Sequence, residues 1–283
     1  MIRCAIAADA DAMDKFLSRY AASSMFLRGN LAAHGTQERE HRQGTTFYLS
    51  EDKNGIKAVA GITNGGYLMC QAPDAPKSFF DGVAKMLNGL TIAGMTGEPR
   101  QVSKMLIAIG CDKMAFALRE QEPLYALDLA EMMPLTLQEC SLVKPLPDNL
   151  PWLAEWFLGY HEDSGLPLPS GSDLDDLAVT FAANPDARLL TVNNMPVAMS
   201  NLNARTLDTV QIGGVYVPPE HRGCGYGGEI VLRHLHEVRS EGIGKAILFA
   251  ASAFAARAYE AIGFSHIGAY EIALFKEPLR IKT

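Results

Sequence analysis

The stretch VYVPPEHRGCGYGGEIVLR, residues 215–233, decides how the fold is read. An apolar strand runs into a turn marked by Pro218 and Pro219, then into a loop with glycines at 223, 225, 227 and 228, then into an amphipathic helix. This is a recipe for holding an anion: glycines let a ligand approach the backbone, successive N–H groups converge, and the helix N-terminus adds positive potential. A pyrophosphate fits such a loop. Gly223, Gly225 and Gly228 also have the spacing of a dinucleotide-binding fingerprint. That fingerprint, however, needs an opening strand–helix–strand unit and an acidic residue ending the next strand. Here a meander precedes the loop, and the next strand, residues 246–250, runs into Ala251 and Ser252. No Lys-Ser or Lys-Thr follows the glycines, so a nucleoside-triphosphate loop is excluded as well.

Hydrophobic periodicity predicts helices over residues 152–160 and 173–183, then strands over 188–192, 196–203 and 209–217. Asn193-Asn194 supplies hairpin-turn chemistry between the first two strands. After the loop come a helix over 227–240, a strand over 246–250, a helix over 253–262 and a strand over 267–275. The first half has a similar outline. A helix over 9–20 places Met13, Phe16, Leu17 and Tyr20 on one face, and strands follow at 46–49, 57–62 and 66–70. Next come a helix over 79–90, a strand over 91–95, a helix over 100–110 and a strand over 125–132. Between 133 and 151, Pro134, Pro145, Pro147 and Pro151 remove backbone donors and discourage regular structure, which places a domain division near Thr136. The halves share element order without obvious residue identity.

A chain of 283 residues is long enough for two packed domains, and 48% hydrophobic with 20% charged residues is the composition of a globular protein. The formal charge of -7 argues against the basic surface that nucleic acid requires. No apolar run approaches the length of a membrane span or a signal sequence, so neither membrane insertion nor secretion is expected. Cys4, Cys70, Cys111, Cys140 and Cys224 are odd in number and scattered, without CxxC pairs; they read as reduced thiols in a cytoplasmic protein. His234 and His236 lie two apart on a helix and point to different faces, so no metal site is expected there.

The loop Arg222-Gly223-Cys224-Gly225-Tyr226-Gly227 resembles the acyl-CoA signature of the GNAT acetyltransferase superfamily, Gln/Arg-x-x-Gly-x-Gly/Ala, and the preceding Val-Tyr-Val-Pro-Pro-Glu-His is similar to the strand and turn that lead into it. A second stretch, Ala255 to Phe264, resembles the family's later segment, Asn-x-x-Ala-x-x-Leu-Tyr-x-x-x-Gly-Phe. Ser252 stands where the family has Asn, and Ala258 where it has Leu. The resemblance implies an α/β protein with mixed sheets of the α+β kind. It would contain two GNAT-like domains, each a central, mostly antiparallel sheet flanked by helices: 1–135, without the CoA signature, and 136–283, which binds acetyl-CoA. By the same resemblance, the amides of Gly223, Cys224, Gly225, Tyr226, Gly227 and Gly228 beside Arg222 bind the pyrophosphate. The backbone of Val215, Tyr216 and Val217 pairs with the pantetheine arm, with Ser252 and Ala255 near it. Tyr259 is the general acid that protonates the departing thiolate.

Acetyl transfer to an amine also requires a base. Asp208, Glu162 and Asp163 are the carboxylates on offer; Gln211 cannot titrate and could only position. The first half, where Gln71-Ala-Pro-Asp-Ala-Pro-Lys-Ser replaces the glycine loop, is expected to have lost CoA binding and to shape the acceptor pocket. The implied activity is N-acetyl transfer from acetyl-CoA to a primary amine of a small molecule or peptide, with no metal. The alternative is a non-catalytic acyl-CoA-binding regulatory or scaffold protein.

Overall fold

The computed structural model describes residues 2–135 and 139–282, and its elements run twice through one plan. The first pass is β1 (Ile2–Cys4), α1 (Ala10–Leu17), α2 (Met25–His34), β2 (Thr45–Asp52), β3 (Gly55–Thr63), β4 (Tyr67–Gln71), α3 (Lys77–Met86), β5 (Thr91–Gly97), α4 (Pro99–Ala108) and β6 (Phe116–Asp128). The second is β7 (Cys140–Val143), α5 (Leu150–Ser164), α6 (Gly171–Ala183), β8 (Arg188–Val192), β9 (Met195–Arg205), β10 (Thr209–Tyr216), α7 (Tyr226–Ser240), β11 (Lys245–Phe249), α8 (Ala253–Ala261) and β12 (Ser265–Arg280). Local chemistry sets many boundaries. Ser170 and Asp173 form a capping box at α6, Glu98 caps α4 with Pro99 in its first turn, and Asn193 and Asn194 take positive φ in the β8–β9 turn. Periodicity left β1, α2 and β7 unread. β1 and β7 are short, and Arg28 and Gly29 are buried inside α2, which breaks its apolar stripe.

The chain folds into two compact units. One comprises Met1–Glu122 with Ala269–Thr283, the other Pro123–Gly268. In the first, the strand order is β1-β2-β3-β4-β5-β12, antiparallel except for the parallel pair β4–β5. In the second it is β7-β8-β9-β10-β11-β6, antiparallel except for the parallel pair β10–β11. Each repeat thus yields its last strand to the other repeat's unit: β12 pairs with β5, and β6 pairs with β11. The units divide at Glu122–Pro123, inside β6. Thr136, where the prolines suggested a division, lies outside the described residues.

In both units the sheet is buried on its two faces. Phe47, Leu49 and Val59 pack with α1 and α2, while Tyr48, Ala58, Ala60 and Ile62 pack with α3 and α4. In the second unit, Leu189 and Met199 pack with α5 and α6, whereas Leu190 and Ala198 pack with α7 and α8. Adjacent strand residues point to opposite faces, so double coverage produces apolar runs rather than strict alternation. Among the described residues no helix is long and apolar enough to cross a membrane.

Strand exchange makes a direct prediction. Fragments 1–135 and 136–283 produced separately each lack the native partner of β5 or β11 and expose an apolar strand edge. Neither alone is expected to show a cooperative thermal transition by circular dichroism, whereas co-expression is expected to restore one. A cooperative melt of either fragment would show that a repeat's own last strand can replace the exchanged one.

Candidate functional site

The site is built where β10 and β11 part. Their parallel register runs from Thr209↔Lys245 to Ile212↔Leu248 and ends there. Beyond it, β11 stays with β6 through Phe249↔Leu124, and the Ala250 amide donates to the Pro123 carbonyl at 3.1 Å. β10 stays with β9, shifting register between Gly213↔Asn201 and Tyr216↔Met199. The shift is a bulge at Gly213-Gly214. Gly214 has φ 59°, and a Cβ on Gly213 would come within 1.9 Å of Asn203 Nδ2. The result is a fork: past Ile212, β10 is no longer in register with β11.

The glycine loop follows directly. Gly223 and Gly225 have φ of 80° and 79°, in the left-handed region, and Gly225 caps α7 without any side-chain acceptor. The first amides of a helix have no acceptor within the helix itself. A Cβ on Gly223 or Gly225 would meet nothing within 4 Å, so the loop faces open space. Cys224 is exposed, with its thiol 3.8 Å from the Arg222 carbonyl.

Val215 and Val217 pack against the core under α7 and α8, while Tyr216 turns the other way, onto α5. Its ring lies 6.2 Å from Trp156, and burial pushes its phenol pKa up. Its hydroxyl fills a notch at Gly159, where a Cβ would lie 2.1 Å from the oxygen. Arg222 closes over the same ring at 5.8 Å, donates from Nε to the Val217 carbonyl at 2.9 Å and pairs through Nη2 with Asp163 Oδ2 at 2.5 Å. The end of α5 is therefore fastened to the start of the glycine loop. Sequence reading missed the Gly213-Gly214 bulge and the Gly159 notch, although a glycine inside a strand or helix is the signal for each.

Of the remaining predicted residues, Tyr259 lies in α8, only 7% exposed and 6.2 Å from the Phe264 ring. Ser252 accepts from the Ala255 amide at 3.1 Å, so its hydroxyl is engaged as the α8 cap. Tyr226 begins α7, and Gly227 and Gly228 lie in its first turn, where a Cβ on Gly228 would touch Ile262 at 3.5 Å. Glu162 is exposed near the end of α5, beside Asp163. Asp208 is not brought to the loop: it precedes β10, accepts from Thr206 Oγ1 at 2.8 Å, and is about 25 Å of strand from Tyr216. Gln211 is buried and donates to the Ile212 carbonyl at 2.7 Å. Behind the loop, buried His234 meets Ser200 Oγ through Nδ1 at 3.0 Å, and desolvation lowers its pKa to about 4. His236 contacts the Met133 carbonyl at 3.3 Å.

The corresponding fork in the first unit is closed by its own side chain. Registered pairing of β4 with β5 ends at Met69↔Thr96. Beyond it, buried Gln101 accepts from the Ala72 amide at 2.5 Å and from the Cys70 thiol at 3.9 Å. Gln101 is the third residue of α4, and Ala255 is the third residue of α8.

Residues 182–267 match the family model described as an acetyltransferase (GNAT) domain. Among curated proteins, none matches. Several solved structures share the fold over nearly the whole chain. A GCN5-related N-acetyltransferase from Sphaerobacter thermophilus is 14% identical with a TM-score of 0.59, covering 100% of this chain and 96% of its own. A GNAT-family acetyltransferase from Colwellia psychrerythraea is 10% identical with a TM-score of 0.55, covering 98% and 100%. A tandem GNAT protein from the clavulanic acid biosynthesis pathway is 12% identical with a TM-score of 0.54, covering 96% and 98%.

Two measurements check this packing. Alanine at an ordinary helix-interior glycine stabilises by roughly 1 kcal/mol, but Gly159→Ala is expected to destabilise by about 1–3 kcal/mol because the clamped Tyr216 cannot retreat. Tyr216→Phe in the same chain should recover part of that loss in denaturant unfolding; no recovery would place the clash elsewhere. Because folded His234 resists protonation, its contribution is complete above about pH 6.5 and is lost as pH falls towards 4, on the order of 2 kcal/mol by pH 5. His234→Gln should flatten that part of the stability profile.

Proposed function

Taking residues 182–267 as a GNAT acetyltransferase domain, we propose that this protein is an acetyl-CoA-dependent N-acetyltransferase acting on a primary amine of a small molecule or peptide. The observation that carries the reading is the parting of β10 from β11 beside an open glycine loop. In it, the amides from Gly223 to Gly228 hold the pyrophosphate, and the backbone of Val215, Tyr216 and Val217, past the end of the β11 register, pairs with the pantetheine. An amide at Tyr216–Val217 meets the oxyanion that develops on the thioester carbonyl. The neutral amine attacks that carbon, the carbon–sulfur bond breaks, Tyr259 protonates the thiolate, and the nitrogen gives up a proton. Asp208 is remote and Asp163 is ion-paired, which leaves Glu162 as the base among the carboxylates considered. A cytoplasmic setting goes with this reading.

Gln101 supports one donor site per chain, because it occupies the fork of the first unit. The engagement of Ser252 as a helix cap favours a second reading, a non-catalytic acyl-CoA-binding protein.

Calorimetric titration with acetyl-CoA is expected to give one site per chain. Gly227→Asp should abolish binding while leaving the melting temperature unchanged or raised: its Cβ meets only Val217 at 3.6 Å, and an acid in the first turn suits the helix but repels phosphate. Absence of binding to the unaltered protein would overturn the donor assignment. With an amine identified by thiol release, Tyr259→Phe should lower turnover about 100-fold at unchanged donor affinity. An unchanged rate would remove Tyr259 from the mechanism.

A further inference from the structure

We propose that Asp163 is a positioning residue for the glycine loop, making the end of α5 part of the donor site; the inference rests on the donor reading above. The segment between Val217 and Gly223 is a short 3-10 turn, Pro219–His221, whose backbone bonds are internal to it: the His221 amide donates to the Pro218 carbonyl at 2.9 Å and the Arg222 amide to the Pro219 carbonyl at 3.2 Å. Arg222 is its tether, reaching back to the Val217 carbonyl and across to Asp163, with its plane over the Tyr216 ring. Asp163 comes from α5, whose position against β10 is set by the Gly159 notch and Trp156. An exposed ion pair on flexible side chains contributes little by itself. This one is anchored on α5, which is already fixed against β10, so it restrains the guanidinium in one place and with it the turn that aims the loop amides. Binding a pyrophosphate to amides held in place avoids the entropy cost of ordering them.

The proposal predicts a sign opposite to that of simple charge. Asp163 is an anion beside a site for an anion, so by electrostatics alone Asp163→Asn would tighten donor binding. The same result would follow if Arg222, once released, turned onto the phosphate. Positioning predicts weaker binding.

The test uses the full chain and coenzyme A itself. In calorimetry, Asp163→Asn should raise Kd about three- to tenfold, and Asp163→Glu should restore part of the loss. Arg222→Gln should lose at least as much, and the double variant should be no worse than Arg222→Gln, because both act through one contact. Hydrogen exchange on the ligand-free protein should quicken in peptides covering residues 217–228 of Asp163→Asn. Unchanged or tighter binding, additive losses, or unchanged exchange would each overturn the proposal. If the unaltered protein binds no coenzyme A, the donor reading fails, and the exchange arm still decides whether Asp163 holds the loop.

Discussion

Parallel strands β10 and β11 leave each other after Ile212↔Leu248, and the local architecture serves that separation. A buried strand edge without hydrogen-bond partners is costly, so a fork persists only where each arm has another strand to follow and the exposed amides have an outside acceptor. β9 holds one arm through the Gly213-Gly214 bulge, and β6 holds the other as far as Leu124 and Pro123. The bulge also sets side-chain direction: Tyr216 goes onto α5, while Val215 and Val217 go into the core beneath the helices that follow the two arms.

The two repeats share this framework and differ in what fills it. At the third position of the helix after the fork, the first repeat has Gln101 and the second has Ala255. A carboxamide at that position satisfies the Ala72 amide internally, whereas a methyl group supplies no acceptor. A single side-chain difference therefore distinguishes a fork closed by its own carboxamide from one with no acceptor at that position. The prolines after β4 point the same way, since they remove donors where the second repeat has glycines.

On the opposite face of the second unit, α5 accepts a glycine in its interior at a helix-propensity cost of about 1 kcal/mol. That residue admits the Tyr216 hydroxyl and lets the helix reach the strand that forms the site. The Asp163–Arg222 pair continues the same seam to the loop. Tyr216, identified in the sequence through its backbone, thus also acts through its side chain as the joint between strand and helix.

The sequence alone determined the elements with strong local signatures. Glycines at 223, 225, 227 and 228 ahead of an amphipathic helix marked the loop, and the order of helices and strands in residues 152–275 marked the fold class and its repetition. These signals are local because φ preferences, caps and periodicity involve residues a few positions apart. Tertiary structure alone decided which strands pair, since β6 and β12 carry no mark naming β11 and β5 as partners more than 100 positions away. It also decided that Asp208 belongs to the far end of β10 and that Asp163 belongs to Arg222. A carboxylate's role depends on what the folded chain brings within hydrogen-bond reach, and neither its type nor its neighbours in sequence record that distance.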